Sequence, residues 1–177
     1  KGKGQIRVEK AEILRQATLL GFIAGGLQIS MTVAIDFTGS NGHPNHPQSL
    51  HYVDPSGRLN QYQQAILSIG SILQDYDSDK MFPVYGFGGK IGNAPVSHCF
   101  PICRVSHQGA SEEAYGVAGI MEAYTAALHS VELAGPTLFS EVLQTAMARA
   151  SRPANQMDQR YDVLLILTDG IINDMRQ

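Results

Sequence analysis

Residues 27–37, LQISMTVAIDF, are the stretch that decides the fold class. They are apolar, rich in β-branched side chains and free of charge until Asp36. A short run of this kind is typical of a strand covered on both faces, as in a parallel or mixed sheet. Residues 161–167, YDVLLIL, predict a second buried strand of the same type.

Helical patterns separate these two strands. Apolar side chains recur three and four positions apart in three segments, which predict helices at 59–76, 112–131 and 139–150. Residues 81–87 predict a short strand, and Pro83 favours an edge position or a bulge for it. Weaker strand patterns lie at 5–14 and 96–102. Together these patterns predict an α/β fold with a mostly parallel, Rossmann-like sheet that carries helices on both faces.

Composition limits the classes of function. The chain has 177 residues, of which 44% are hydrophobic and 16% charged, as in a globular protein. The formal net charge of −3 provides no overall basic field, so we expect no nucleic-acid partner. Two cysteines and the absence of an Asn-x-Ser/Thr sequon favour a reducing, intracellular compartment. No apolar stretch is long enough to cross a bilayer.

Five side chains that carry oxygen are predicted to meet at one edge of the sheet. They are Asp36, Thr38, Ser40, Thr137 and Asp169. Both aspartates follow buried strands, and ligands of open α/β sheets bind beyond the carboxyl ends of the strands. Carboxylates and hydroxyls without imidazole or thiolate favour a hard cation such as Mg²⁺, Mn²⁺ or Ca²⁺. Each residue alone could cap a helix or a turn, and Thr137 could be the N-cap of the third helix. The five together favour a metal site.

Three motifs resemble the metal-ion-dependent adhesion site of von Willebrand factor A domains. They are DFTGSN at 36–41, GPT at 135–137 and TDG at 168–170. The resemblance implies that the five oxygen-bearing residues hold Mg²⁺ or Mn²⁺. Thr38 stands where many A domains have serine, and it keeps the hydroxyl.

Longer stretches resemble the A domain of copines, which are Ca²⁺-dependent phospholipid-binding proteins with two C2 domains before the A domain. They include IDFTGSNG at 35–42, QDYDSDKMFP at 74–83 and YGFGGK at 85–90. The resemblance implies that residues 1–24 are the remnant of a C2 domain with a linker, and that 25–177 are a copine-type A domain. It also implies that the A domain continues beyond residue 177, which would leave strand 161–167 as an uncovered edge.

The copine resemblance implies a non-enzymatic binding module. The metal site would recruit intracellular proteins, and Ca²⁺ bound by C2 domains outside this chain would attach the protein to anionic phospholipid. We therefore expect a cytoplasmic protein recruited to the inner face of the plasma membrane. The uncovered strand leaves self-association open. The alternatives are a metal-dependent phosphate-ester hydrolase or kinase, and the A domain of a copine-like RING ubiquitin ligase.

Other motifs carry weaker predictions. Asp75, Asp77 and Asp79 match the opening of an EF-hand loop, but Lys80 stands where that loop needs glycine, so a solvated helix end is favoured. The run Gly86-Phe87-Gly88-Gly89 does not match a nucleotide-binding motif and predicts a strand exit with close backbone contacts.

Two groups that contain histidine carry further predictions. Four residues are zinc ligands by type but have an uncommon spacing: His98, Cys99, Cys103 and His107. Two ordinary thiols with surface histidines are the favoured interpretation of that group. A second group, His43, His46 and His51, is expected on a surface loop that shapes access to the metal site.

Overall fold

A computed structural model describes residues 4, 7–13, 16–105, 111–153, 155, 157–170 and 172–174. The helices are α1 (Leu19–Ala24), α2 (Gln61–Leu73), α3 (Ile102–Val105), α4 (Gly116–Ala127) and α5 (Ser140–Ala150). The strands are β1 (Gln28–Asp36), β2 (Met81–Phe87), β3 (Gly89–Ile91), β4 (Phe100–Pro101), β5 (Glu113–Tyr115), β6 (Val131–Leu133) and β7 (Arg160–Leu167). Single 3₁₀ turns follow β1 at Gly39–Asn41 and α2 at Gln74–Tyr76.

The central sheet confirms the predicted fold class. Its strands lie in the order β4-β2-β1-β7, and β5 also pairs with β2. The strand β1 runs parallel to β2 and to β7, whereas β4 and β5 are antiparallel to β2. The mostly parallel sheet with its helices is the arrangement expected of a von Willebrand A-like fold.

Alternation along β1 divides the core between the two faces of the sheet. Met31, Val33 and Ile35 are buried in the larger hydrophobic cluster, to which α2 and α4 contribute. Ala34 points the other way and packs in a second cluster with Phe87 and with Val142 of α5. Helices therefore cover both faces, as predicted, and β1 is buried because it lies between two layers.

The strand β2 differs from the prediction made from Pro83. It is an internal strand with neighbours on both sides, not an edge. The parallel pairing with β1 starts at Val84. Pro83, which has no backbone N–H group to donate, therefore lies just before the residues that pair with β1. Proline is therefore accommodated at the start of the pairing.

Several short elements depart from the predicted boundaries. The predicted helix at 112–131 contains α4, but residues near its start belong to β5 and its last residue belongs to β6. Of the predicted strand at 96–102, only β4 forms. Residues 7–13 form no strand, and the remaining residues of the 5–14 pattern, Gln5, Ile6 and Leu14, lie outside the described residues. The domain boundary at residue 24 stays a prediction.

The strand β7 lies at one end of the sheet. Within the described part of the chain it pairs with β1 alone, and residues 163–167 are half-buried. Its first three residues are exposed, which corrects the prediction of a strand covered throughout. Self-association through this strand stays a prediction. Among the described residues, no helix has the length and apolar character needed to cross a bilayer.

Candidate metal centre

The parallel register brings the two predicted carboxylates to the same edge of the sheet. Ile35 of β1 pairs with Leu167 of β7, so Asp36 leaves one strand beside the point where Thr168 and Asp169 leave the other. Asp36 is fully buried, and the edge on which it lies is the carboxyl edge of the sheet. The sequence-based placement of these strand ends agrees with the structure.

Both oxygens of the Asp36 carboxylate are held by hydrogen bonds. Its Oδ1 accepts from the backbone N of Thr38 at 2.8 Å and from the Thr38 hydroxyl at 2.6 Å. Its Oδ2 accepts from the Thr168 hydroxyl at 2.7 Å. The carboxylate thus ties the turn after β1 to the end of β7, and these donors compensate for the burial of its charge.

Three hydroxyls converge beside this carboxylate. Thr38 Oγ1 lies 3.0 Å from Ser40 Oγ and 3.5 Å from Thr137 Oγ1. Thr38 and Thr137 are buried, and Ser40 is exposed, so the group is open to solvent on the Ser40 side. Asp36, Thr38, Ser40 and Thr137 therefore form one hydrogen-bonded set.

The surroundings of the Asp169 carboxylate show whether a cation fits this group of residues. Its Oδ1 is buried and has no hydrogen-bond partner among the described residues. A buried carboxylate oxygen without a donor is costly, and a bound cation would remove that cost. Together with the oxygen-only set around Asp36, this atom fits a hard divalent ion. The role of the five residues as metal ligands stays a prediction.

The loop that carries Thr137 is fixed at both ends. Ala134 forms a parallel bridge with Thr38, and the Thr137 backbone N donates to Asn173 Oδ1 at 2.9 Å. Thr137 is not the N-cap of α5, which begins three residues later. Instead, Asp174 Oδ2 accepts from the backbone N of Phe139 and of Ser140. The Thr137 hydroxyl is thereby left for the Thr38 group.

His51 lies beneath the site, which corrects its predicted place on a surface loop. It is fully buried, whereas His43 and His46 are exposed. Its Nε2 lies 2.8 Å from the Asp36 carbonyl oxygen and its Nδ1 lies 2.8 Å from the Tyr124 hydroxyl. Because a carbonyl only accepts, Nε2 carries the proton and Nδ1 accepts from Tyr124.

Burial sets the charge state of this network. It lowers the pKa of His51 to about 4, against smaller opposing effects of the Asp36 carbonyl and the Asp169 charge. Burial also raises the pKa of Tyr62 and of Tyr124 above the ordinary tyrosine value, which keeps both hydroxyls protonated. His51, Tyr62 and Tyr124 are therefore uncharged at neutral pH.

The weaker sequence motifs do not form a second metal group. No three side chains of His, Cys, Asp or Glu gather within the described residues, and His107 lies outside them. Asp77 is buried, not solvated as predicted, and its Oδ2 accepts from Ser30 at 2.9 Å. Desolvation raises the pKa of Asp77. Asp77 thus has a local structural role after α2, whereas Asp75 and Asp79 are exposed, as predicted.

Comparisons with known proteins place the chain in a family. The sequence profile of the family described as Copine matches residues 49–177. The chain belongs to the copine family. Protein BONZAI 1 of Arabidopsis thaliana is 49% identical over 175 residues, which cover 99% of this chain and 30% of that protein. Protein BONZAI 2 of the same plant is 49% identical over 177 residues, or 99% of this chain and 29% of that protein. The chain thus spans under a third of the length of these relatives.

This copine site includes residues that were not among the five predicted ligands. Thr168 stands beside the predicted Asp169 and donates to Asp36, and Asn41 follows the predicted Ser40 and donates to Thr38. Their positions inside the DFTGSN and TDG motifs were the available signal. His51 was predicted only on a surface loop that shapes access, and nothing local to Tyr62 indicates that it contacts the site.

Gly88 of this copine chain is a point where the site tolerates no side chain. Its φ is +75°, and an added Cβ would lie 2.3 Å from Thr38 Cγ2. This close approach confirms the strand exit predicted from residues 86–89. Gly57 has a similar φ of +79° with nothing within 4 Å of its Cβ position, so it offers a matched control.

Gly88→Ala is expected to lower the free energy of unfolding by about 2 kcal/mol more than Gly57→Ala does. Both variants incur the backbone strain of a positive φ, and only Gly88→Ala also displaces Thr38. Chemical denaturation in EDTA measures this difference without a contribution from metal. Equal losses in the two variants would contradict the close packing of Gly88 on Thr38.

Proposed function

We propose that this chain is the cation-binding part of a copine and that its bound Mg²⁺ or Mn²⁺ recruits protein partners. The observation that carries the proposal is the buried Asp169 Oδ1, which has no donor among the described residues. It belongs to the residue after Thr168, whose hydroxyl donates to Asp36, and carboxylates and hydroxyls are the ligands that hard cations prefer. The residues that would hold the ion are Asp36, Thr38, Ser40, Thr137 and Asp169.

The charge of the proposed site explains how it would bind a partner. Two carboxylates and three hydroxyls leave a divalent ion with residual electrophilic character, so it can accept an acidic side chain from another protein. Ser40 is the exposed member of the set, and it places the open side of the site toward solvent. An acidic residue of a partner is the ligand that this arrangement favours.

We propose a non-enzymatic role for the site. His51 is the imidazole in contact with Asp36, and both of its ring nitrogens are engaged. The hydroxyls and the Asp36 carboxylate are bonded to one another. These groups therefore hold one another in position, and they are poorly placed to transfer protons to or from a substrate.

Membership of the copine family supports a wider proposal for the intact protein. Ca²⁺ bound by C2 domains outside this chain would attach the protein to anionic phospholipid. The cation site would then present intracellular proteins to the membrane. On this proposal the protein would be cytoplasmic and, on recruitment, would lie at the inner face of the plasma membrane.

Titration of the intact protein with Mn²⁺ or Mg²⁺ tests the cation site. Asp36→Asn is expected to weaken Mn²⁺ or Mg²⁺ binding about tenfold, or about 1.4 kcal/mol. The substitution removes a negative charge near the ion and keeps the shape of the side chain. Asp75→Asn is the matched control, since Asp75 is an exposed carboxylate in the turn after α2.

Partner recruitment is tested separately with the same two variants. Proteins retained by the wild type in Mg²⁺ and released by EDTA should be lost with Asp36→Asn and kept with Asp75→Asn. Mn²⁺ and Mg²⁺ affinities that are equal in the wild type and Asp36→Asn would contradict the assignment of the site.

A further inference from the structure

Asn41 and Tyr62 form a buried hydrogen-bonded pair directly behind the Thr38 hydroxyl. Asn41 is 2% exposed and Tyr62 is 4% exposed. The Tyr62 hydroxyl donates to Asn41 Oδ1 at 2.6 Å. On its other side, Asn41 Nδ2 lies 3.2 Å from Thr38 Oγ1 and 3.2 Å from the Thr38 carbonyl oxygen. The pair therefore connects the first turn of α2 with the centre of the candidate site.

The direction of each hydrogen bond follows from the groups involved. A carboxylate only accepts, so the single proton of the Thr38 hydroxyl goes to Asp36 Oδ1. The contact between Asn41 and Thr38 must then run from the Asn41 amide to the Thr38 oxygen. A reversed amide would place Asn41 Oδ1 against two acceptors of Thr38. The Tyr62 hydroxyl, which can donate or accept, donates to Oδ1 in this orientation.

These bonds leave one lone pair on the Thr38 oxygen. A threonine hydroxyl has one proton and two lone pairs. The proton is used by Asp36 and one lone pair by Asn41, so the second lone pair faces the Ser40 and Thr137 hydroxyls, which donate to it and which a cation would displace. This is the side on which the other predicted ligands lie.

We infer that Asn41 and Tyr62 are positioning residues, which hold the Thr38 oxygen in the orientation that cation binding needs. The inference rests on the proposed function, because it concerns the same Mg²⁺ or Mn²⁺ site. Tyr62 acts through Asn41, since its hydroxyl contacts Asn41 Oδ1 and stands behind the amide. Partners that orient metal ligands typically change metal affinity about 10- to 100-fold when they are lost.

The fold holds this pair rigidly. Tyr62 is the second residue of α2, whose first turn is fixed by a capping box between Asn60 and Gln63. Its ring also stacks on His51, with ring centroids 4.5 Å apart. On the other side, the Asn41 carbonyl oxygen accepts from Ser49 Oγ at 3.0 Å. Removing the Tyr62 hydroxyl therefore removes one bond and leaves the surrounding packing in place.

Tyr62→Phe in the intact protein tests the inference against Tyr85→Phe. Tyr85 is also 4% exposed, and its hydroxyl donates to Glu112 Oε2 at 3.1 Å, so the control loses the same group at the same burial. Mn²⁺ affinity is expected to fall about tenfold in Tyr62→Phe and to stay at the wild-type value in Tyr85→Phe. In EDTA, the NMR signal of the Thr38 methyl group should move in Tyr62→Phe alone.

A double-mutant cycle separates positioning from general destabilisation. If Tyr62 acts through Asn41, Tyr62→Phe has no further effect on Mn²⁺ affinity once Asn41→Ala is present. Equal Mn²⁺ affinity in the wild type and Tyr62→Phe would overturn the positioning role and leave the cation site standing. A wild type that binds neither Mn²⁺ nor Mg²⁺ would overturn the proposed function and this inference together.

Discussion

Asp169→Ala is expected to abolish stabilisation by metal while leaving the metal-free protein at least as stable as the wild type. The two effects have opposite signs because Asp169 Oδ1 is buried without a hydrogen-bond partner among the described residues. Without an ion this oxygen costs free energy in the folded state. With an ion it becomes a direct electrostatic partner. A residue retained for packing alone would not show this reversal.

The expected magnitudes are large enough to measure by thermal or chemical unfolding. A metal present at about 100 times its dissociation constant stabilises the wild type by about 2.7 kcal/mol, and this gain should vanish in Asp169→Ala. In EDTA, removing a carboxylate with one buried, unpaired oxygen should leave the free energy of unfolding unchanged or raise it by about 1 kcal/mol.

Asp162→Ala is the matched control for Asp169→Ala. Asp162 is an exposed carboxylate on β7, the strand that precedes Asp169, and its removal changes the net charge equally. It should retain the full stabilisation by Mg²⁺ or Mn²⁺. A marked loss of stability of Asp169→Ala in EDTA would show that the carboxylate has a structural partner and would remove the main support for the cation site.

The position of this carboxylate at the sheet edge was predictable, because it depends on residues close to it in the chain. An apolar run ends at Asp36 and another ends just before Thr168, so each polar group is placed where a buried strand leaves the core. Parallel pairing then brings the two ends together, as Ile35 opposite Leu167 shows. The period of the helices was predictable for the same reason, since it depends on residues close in the chain.

The contacts that complete the site were not predictable, because they depend on tertiary packing. His51 lies in a loop rich in proline, asparagine and glycine, a composition typical of a surface segment. In the structure its ring is covered by Tyr62 and Tyr124, which come from two different helices. Likewise, β5 and β6 are three-residue strands that exist only because β2 and β3 offer partners, and short strands leave too little pattern to recognise.

The metal-free protein is expected to lose stability as the pH falls from about 6.5 to about 4, because of His51. The folded state holds the pKa of His51 at about 4, well below the unfolded value of 6.5, mainly through burial. Between these two values the unfolded chain binds a proton that the folded protein does not. The stabilising effect is therefore fully present above pH 6.5 and is lost as the pH falls through the folded pKa.

The size of this loss follows from the separation of the two pKa values. A difference of about two and a half pKa units corresponds to a loss of about 3 kcal/mol in the free energy of unfolding between pH 6.5 and 4. Structurally, the added proton would go to Nδ1, which accepts from the Tyr124 hydroxyl in the neutral network. That hydroxyl also accepts from Asn60 Nδ2 at 3.3 Å, so protonation of His51 disturbs the cap of α2 as well.

Denaturation in EDTA at a series of pH values measures this effect without a contribution from metal release. His51→Gln should be less stable than the wild type at pH 7, since the buried network is cut, and it should lack the His51-dependent slope between pH 6.5 and 4. His46→Gln is the control, because the exposed His46 ring lies in the same loop, and it should keep the wild-type slope. A slope that persists unchanged in His51→Gln would show that other groups cause the acid sensitivity and that the His51 ring is not held neutral beneath Asp36.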